Sequence, residues 1–467
     1  MSLTDNDDDD AEVADRRVTV MGLGRFGGGV GVTRWLADEL GCRVLVTDLE
    51  SPDRLRDSLE KIDDLVRSSR VTLRLGEHRP EDFSETDLVV ANPAVPSPWR
   101  NRYLLAAMSA GVKVTTEMRL LVERLPDRRR VIGVTGTAGK STTAAMIHHI
   151  LRERGDAPAH LGGNIGGTLL GTEIGARDWV VIELSSAMLF WLGEGEGYEG
   201  APGWSPGVAV VTNLAQNHID WHGSFEHYAE SKRNILRFQD ADDTAVLGDL
   251  PPETAEAWTT NGRRIESIVE PLAFELATPG RHNERNARLA VTTCHAVAGV
   301  APDDAAEALR TFRGLPHRLA LVTERADGVR FYDDSKSTTP EATALAVDAF
   351  DDPSRVHLIA GGYDKGVDLS SVARLASRLA GLYTIGATGT TIASAARELC
   401  GENCFVASCD SLSKAVETAL PRLRPGDALL LSPGCASWDQ YLNFEERGEQ
   451  FVSLVSTRAA LASESSG

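Results

Sequence analysis

The stretch VIGVTGTAGKSTTAAMIHHIL, residues 131–151, decides the fold. It opens on an apolar run that reads as a buried strand. It turns through Gly136-Thr137-Ala138-Gly139 and continues from Lys140-Ser141-Thr142 into a helix. Strand, glycine loop and helix in that order make a phosphate-binding unit. The glycines let the backbone curl so that its N–H groups face an anion, and the helix start adds its positive dipole end. The strict spacing G-x-x-x-x-G-K-[ST] asks for Gly at 134, where this chain has Val134. Gly139, Lys140 and Ser141 stand where the motif wants them. Lys140 is expected at the β- and γ-phosphates of a nucleotide, and Ser141 at Mg²⁺.

Downstream, WVVIELSSAML reads as a strand ending at Glu183. A carboxylate at a strand terminus after a phosphate loop is a natural Mg²⁺ ligand, although an edge carboxylate facing water would look the same. VAVVTNLAQNHIDWHGSFEHYAESKRNIL gives another buried strand, then Asn213, His218, Asp220 and, on a helix, Lys232. A lone His is usually structural, but His218 directly follows an apolar parallel-type strand, the edge where α/β sites form. In GRHNERNARLAV, Asn283 and Asn286 lie three apart on one helical face; taken alone, they read as cap and surface residues.

Upstream, RRVTVMGLGRFGGGV places a strand from Val18 to Met21 before Gly22-x-Gly24-x-x-Gly27. A helix is expected from Thr33 to Leu40, and a second strand ends at Asp48. This is a Rossmann-like βαβ pattern in which Asp48 could accept hydrogen bonds from a ribose or base. DLVVANPAVP adds a strand with a Pro-rich exit. Beyond Gly314, FYDDSKSTTPEAT, VHLIAGGYDKGVDL, LYTIGATG and ALLLSPGCASWDQ each break from an apolar strand into Gly, Asp, Ser or Lys. That is a second doubly wound α/β pattern.

Composition sets the outer limits. A length of 467 residues suggests three domains, at about 150 residues each. The 48 Lys and Arg against 68 Asp and Glu leave a net charge of −20. That argues against non-specific nucleic-acid or anionic-membrane binding. Residues 1–16 are acidic where a signal peptide would be basic and then apolar, and they read as a disordered solubilising arm. No run approaches a membrane span. Six Cys in so long a chain are no disulfide framework, and the Cys400, Cys404, Cys409 cluster fits no zinc spacing. A soluble cytoplasmic protein is the expectation. Only seven residues are Lys, at 61, 113, 140, 232, 336, 365 and 414. Four of them, Lys140, Lys232, Lys336 and Lys365, fall inside short motifs that look catalytic.

Taken together, Gly136-Thr137-x-Gly139-Lys140-Ser141-Thr142, Glu183-Leu184-Ser185-Ser186, Asn213-x-x-x-x-His218-x-Asp220, Lys232, GRHN-x-x-NA, LPHR and DDSK resemble the Mur ligase family in order and approximate spacing. Asp334-Ser335-Lys336-Ser337-Thr338, Gly361-Gly362-x-x-Lys365 and LSP-x-CAS-x-DQ-x-x-NFE-x-RG resemble its D-glutamate-adding members. The resemblance runs from about residue 17 to 455 and implies an α/β fold of three domains. These would be a Rossmann-like UDP-sugar-binding domain over 17–125, a P-loop ATPase domain over 126–313 and a Rossmann-like amino-acid-binding domain over 314–467.

It also implies a reaction. The alanine carboxylate of UDP-N-acetylmuramoyl-L-alanine attacks the γ-phosphate of ATP, and the amine of D-glutamate then displaces phosphate from the acyl phosphate. A sibling activity with another amino acid or nucleotide sugar is the alternative. By resemblance Gly136, Thr137, Ala138, Gly139, Lys140, Ser141, Thr142, Asn283, Asn286, Arg318 and Asp334 would meet ATP, the last two across a domain interface. Ser141 and Glu183 would hold one Mg²⁺, and His218 a second together with Lys232 as a carbamate. Gly24, Arg25, Phe26, Gly27, Asp48, Asn92 and Asn164 would bind the UDP-sugar, and Lys336, Thr338, Lys365, Ser437 and Phe444 the D-glutamate. A monomer is expected.

Three departures stand out. Ala138 replaces a usual Asn, Phe26 and the GGGVGV run are irregular, and Asn92-Pro93-Ala94 replaces a Ser-Pro-Gly. Two of the three departures fall in the segment that would meet the UDP portion. A nicotinamide-dependent oxidoreductase could use Gly22, Gly24, Gly27 and Asp48, but has no use for the loop at 136–142. A non-catalytic scaffold would be expected to lose Lys140, Glu183, His218 or Lys232, and all four are present.

Overall fold

The computed structural model describes residues 15–24, 28–267, 276–401 and 404–464. The arm's first fourteen residues, and Arg25, Phe26 and Gly27, lie outside the described residues. Asp15 and Arg16, expected as the end of the arm, are tied to the fold. Arg43 N–H donates to Arg16 O (2.9 Å), and the Arg43 side chain pairs with Asp15 (3.1 Å).

Three sheets organise the chain. The first contains β1 (Arg17–Met21), β2 (Arg43–Asp48), β3 (Val71–Leu75), β4 (Leu88–Ala91) and β5 (Lys113–Thr115). All its strands are parallel, in the order β3-β2-β1-β4-β5. The second contains β6 (Val131–Thr135), β7 (Ala159–Gly163), β8 (Trp179–Glu183), β9 (Val208–Asn213), β10 (Thr244–Asp249) and β11 (Arg263–Glu266). It is also parallel throughout, in the order β11-β10-β9-β6-β8-β7.

The third contains β12 (Ala320–Glu324), β13 (Arg330–Asp333), β14 (Val356–Gly361), β15 (Gly381–Ile385), β16 (Val406–Asp410) and β17 (Ala428–Leu431). Its order is β12-β13-β17-β14-β15-β16, with only β12 antiparallel to its neighbour. The apolar runs that read as strands are buried on both faces, as parallel strands require. In β14, Leu358 and Ala360 join one apolar cluster while Ile359 joins the other.

The chain forms two compact units. Met1–Val269 with Arg288–Ala305 holds the first two sheets, and Glu270–Ala287 with Ala306–Gly467 holds the third. The segments expected as separate first and central domains thus share one unit. They are fastened where Val114 N–H at the end of the first sheet donates to Gly197 O (3.1 Å). The guanidinium of Arg119, 1% exposed, also bonds the carbonyls of Trp191, Gly193 and Pro202. Asn283 and Asn286, expected with the central segment, fall in the second unit.

The helix expected from Thr33 starts earlier, at Val30, and continues as a π turn over Trp35–Glu39 closed by Leu40 N–H to Trp35 O (3.2 Å). The early start is possible because Gly29 presses on the preceding turn; a Cβ there would sit 2.4 Å from Gly22 O. Cys400 and Cys404 form a disulfide, since the end of the helix Gly389–Cys400 brings their Cα atoms to 5.8 Å. Among the described residues no helix is long and apolar enough to cross a membrane.

Candidate active site

In the first unit the chemistry-bearing residues gather at the C-terminal ends of β8, β6 and β9, which are neighbours in the second sheet. β6 runs into the glycine loop, and the helix Lys140–Arg154 starts at once with Gly139 in the left-handed region (φ +80°) as its cap. Gly136 is at φ +147°, and a Cβ there would meet Thr212 Oγ1 at 1.9 Å, so only glycine fits. Asn213, at the end of β9, clamps the loop. Its Oδ1 accepts from Ala138 N–H (2.9 Å), its Nδ2 donates to Ala138 O (3.0 Å), and its own carbonyl accepts from Thr137 N–H (3.0 Å). The Thr137 hydroxyl reaches Ala215 O and the Tyr228 hydroxyl, each at 2.9 Å.

The loop is therefore held by its backbone, which explains why Ala138 serves where a polar side chain was expected. The same bonds narrow the cradle. Thr137 and Ala138 N–H are engaged inside the loop, leaving the first N–H groups of the helix to face an anion. Lys140 Nζ donates back to Thr137 O (2.9 Å).

Glu183 closes β8 at 1% exposure. Its Oε1 accepts from Asn164 Nδ2 (3.1 Å), while Oε2 is buried with no hydrogen-bond partner. An orphaned buried carboxylate oxygen costs on the order of 1–3 kcal/mol or more, which a cation would offset. Lys232, on the helix Phe225–Arg237, is also 1% exposed. Its Nζ donates to Thr135 Oγ1 (3.1 Å) and lies 4.9 Å from the centre of the Tyr228 ring. Burial, with Lys140 nearby, holds its pKa well below the ordinary lysine value despite Glu183.

His218 caps a short helix at φ +50°. Burial and the Lys140 charge lower its pKa, which favours the neutral, metal-ligating form. Lys140, Asn164, His218 and Lys232 line one cavity of about 810 Å³ together with Gly28, Gly31 and Asn92, which follow the strands β1 and β4 of the first sheet. Ser141 is buried at the start of its helix. Among the described residues no three His, Cys, Asp or Glu converge. Mg²⁺ needs fewer, since it keeps several waters and typically takes only one or two protein carboxylates.

Asp48 does not line this cavity. Its two oxygens accept from Gly24 N–H (3.0 Å) and Glu50 N–H (2.9 Å), so it braces the glycine turn. Asn92 braces the same turn, donating to Gly22 O (3.3 Å). The irregular glycine run has a packing reason. A Cβ on Gly31 would sit 2.5 Å from Thr168 of the GNIGGT loop.

Two features carry no clear signal in the sequence: Tyr228, and the buried contact of Ser186 Oγ with His222 Nε2 (2.9 Å). His222 in turn meets His227, Nδ1 to Nδ1, at 2.9 Å. Burial pushes the His222 pKa down to about 4. Only the Tyr228 position in the helical pattern after His218 could have pointed inward.

In the second unit the candidate residues collect at the C-terminal ends of β13, β17 and β14, again neighbours. Lys336 Nζ lies 5.0 Å from the centre of the Phe444 ring. Ser335 Oγ donates to Phe444 O (2.7 Å). Gly434 N–H donates to Ser337 O (2.9 Å), beside the half-exposed Thr338. Lys365 is exposed and Ser437 is buried.

Arg447, the arginine of the NFE-x-RG motif, joins these loops. At 1% exposure its guanidinium bonds Ser335 O (2.9 Å) and Cys435 O (3.2 Å). The glycine after it admits His317, whose Nδ1 would be 2.1 Å from a Cβ on Gly448. Asp334 is 6% exposed, with Oδ1 accepting from Leu319 N–H and Oδ2 from the Ser432 hydroxyl. Burial raises its pKa to about 6. It braces the loop from inside. Arg318 is half-exposed in a tight turn closed by its N–H to Leu315 O (3.1 Å). Asn283 and Asn286 are buried, and Asn283 Nδ2 donates to Pro279 O (2.8 Å), so neither is the surface residue its position alone suggests.

Three mainly parallel sheets with polar residues at their strand ends define an α/β protein of the kind that works on ligands at that edge. The family model for the Mur ligase middle domain matches residues 134–265, and that for the Mur ligase, glutamate ligase domain, matches residues 317–435. A UDP-N-acetylmuramoylalanine–D-glutamate ligase of a Roseiflexus species is 36% identical, covering 95% of this chain and 99% of its own length. Its counterpart in Pelotomaculum thermopropionicum is 35% identical, covering 94% and 97%. The crystal structure of MurF from Acinetobacter baumannii shares the fold at a TM-score of 0.52 and 19% identity, covering 73% of this chain and 81% of its own. The chain belongs to the Mur ligase family.

Proposed function

We propose that this chain is an ATP-dependent amide ligase that joins D-glutamate to UDP-N-acetylmuramoyl-L-alanine in the making of peptidoglycan precursors. The observation that carries the reading is the placing at one strand edge of the buried Lys232, its pKa lowered by burial, and of Glu183, whose Oε2 is buried without a partner. The relatives' shared name does not favour a sibling with other substrates.

In the first step an oxygen of the substrate's alanine carboxylate bonds to the γ-phosphorus, and ADP leaves. The helix-start N–H groups after Gly139 orient the phosphates, and Lys140 neutralises charge as it shifts toward the leaving group. Asn164, already held by Glu183, faces the cavity where the carboxylate would lie. In the second step the D-glutamate nitrogen bonds to the acyl carbon, phosphate leaves with its electron pair, and the nitrogen loses a proton.

Ser141 and Glu183 would hold one Mg²⁺, and His218 with Lys232 a second. Bound Mg²⁺ supplies positive charge at the phosphates and the attacking carboxylate. Lys232 suits its place as a carbamate. A neutral amine adds CO₂ and releases one proton, giving the anion that a bare ammonium could not supply.

The first sheet's order supports a Rossmann-like domain over 17–125 that meets the UDP portion through Gly24, Asn92 and their turn. Residues 126–313 would form the P-loop domain and 314–467 the Rossmann-like amino-acid domain, with Lys336, Thr338, Lys365, Ser437 and Phe444 at D-glutamate. Asn283, Asn286 and Arg318 would meet ATP. The net charge of −20 supports a monomer without nucleic-acid or anionic-membrane partners, and a cytoplasmic location would suit the precursor-building reaction.

Incubation with ATP, Mg²⁺, UDP-N-acetylmuramoyl-L-alanine and a panel of labelled amino acids is the test. Product with D-glutamate far above all others is expected. Absence of product with every amino acid would sink the ligase reading, and preference for another would select the sibling.

A further inference from the structure

Two loops at the end of the third sheet are zipped together. Tyr363 N–H donates to Ala436 O (2.8 Å), and the two residues form an isolated antiparallel bridge. Gly362 makes the approach possible, because a Cβ there would sit 2.3 Å from Ala436 O. Thr388 pins the same point, its hydroxyl accepting from Gly362 N–H at 3.0 Å. From below, Arg447 holds Cys435 O.

This frame presents two aromatic rings to solvent. Tyr363 is 41% exposed and Trp438 is 56% exposed, with centroids 5.6 Å apart. Large aromatic side chains are seldom left so open without a use. The Trp438 ring has one: Lys365 Nζ lies 5.3 Å from its centre. Trp438 is also the only tryptophan after residue 258.

We propose that Trp438, backed by Tyr363, positions the Lys365 ammonium for the carboxylate of the incoming amino acid. This deepens the ligase reading and rests on it. An exposed lysine has four flexible stem bonds and samples many rotamers. The electron-rich ring face restrains the ammonium without consuming its N–H donors, which remain free to bond a carboxylate. The ring also covers one side of the ammonium, lowering the local dielectric and strengthening its attraction to an anion. Trp438 acts through Lys365, so it is a positioning residue.

Steady-state kinetics of the full-length enzyme test this. Trp438→Leu should raise the KM for D-glutamate about two- to thirty-fold, the range spanned by a cation–π contact of about 0.5–2 kcal/mol. The kcat should fall less than about twofold, and the KM for ATP and for the nucleotide sugar should not move. Trp438→Phe, which keeps a ring face, should restore most of the D-glutamate KM. Tyr363→Leu should give a smaller rise of the same kind. In the Lys365→Met background Trp438→Leu should add nothing further. An unmoved D-glutamate KM in Trp438→Leu, an equal rise for all three substrates, or Phe no better than Leu would each overturn the proposal. If the wild type makes no product with D-glutamate, the ligase reading fails instead, so the two failures are distinct.

Discussion

Lys232 shows what one residue's surroundings decide. A buried ammonium loses several kcal/mol of hydration, whereas its hydrogen bond to Thr135 Oγ1 returns about 1 kcal/mol. Desolvation wins, and the amine's pKa falls well below the ordinary lysine value, which favours the neutral form. An arginine there would stay charged, since its guanidinium does not give up a proton in a protein. Protein supplied with ¹³C-bicarbonate is therefore expected to show a carbamate resonance in its ¹³C spectrum that Lys232→Met lacks. Lys232→Ala should abolish turnover while ATP still binds, with partial rescue by a small carboxylate. A resonance that persists in Lys232→Met, or full turnover in Lys232→Ala, would reject the carbamate. Motif order pointed to this lysine. Its lowered pKa was not legible, because that depends on how deeply the helix Phe225–Arg237 packs it.

At the scale of elements, the unit from β6 through the loop to the helix Lys140–Arg154 was legible because its signal is local: an apolar run, glycines, then a helical pattern. The clamp on that unit was not. Asn213 is 75 residues from Ala138 and meets it only because β9 pairs with β6. The glycine run near Gly31 looked irregular for a similar reason, its cause being Thr168 across the cavity. The clamp can be weighed. Asn213→Ala removes two side-chain bonds to Ala138, each worth about 1 kcal/mol net. The apparent KM for ATP should rise by up to about thirtyfold, the factor for about 2 kcal/mol, with a smaller change in the D-glutamate KM. Gly136→Ala should be harsher, since the added Cβ meets Thr212, and nucleotide binding by calorimetry should be lost. Unchanged ATP affinity in Asn213→Ala would show that the loop holds its shape without the clamp.

At the scale of the whole molecule, three sheets could be read from the strand patterns, but their grouping into two units could not. The grouping depends on a joint made by the 193–202 loop, whose glycines and acidic residues carry no periodic signal. There Gly197 O takes Val114 N–H, and Arg119 holds the carbonyls of Trp191, Gly193 and Pro202. Glu196 sits inside this joint. Burial raises its pKa from 4.5 to about 7, against a weaker opposing pull from Arg119. The sign of its effect follows from proton counts. Between pH 4.5 and 7 the folded chain holds the Glu196 proton and the unfolded chain has released it, so raising the pH through that window lowers stability. Below the window both states are protonated and Glu196 contributes no penalty; above it the whole penalty is present. Glu196→Gln keeps the shape and removes the charge. Its thermal midpoint should match the wild type near pH 4.5 and exceed it at about pH 8, with the gap opening between those values. A constant gap across that range would mean that the substitution acts through packing, and that the joint tolerates an ionised Glu196 without cost.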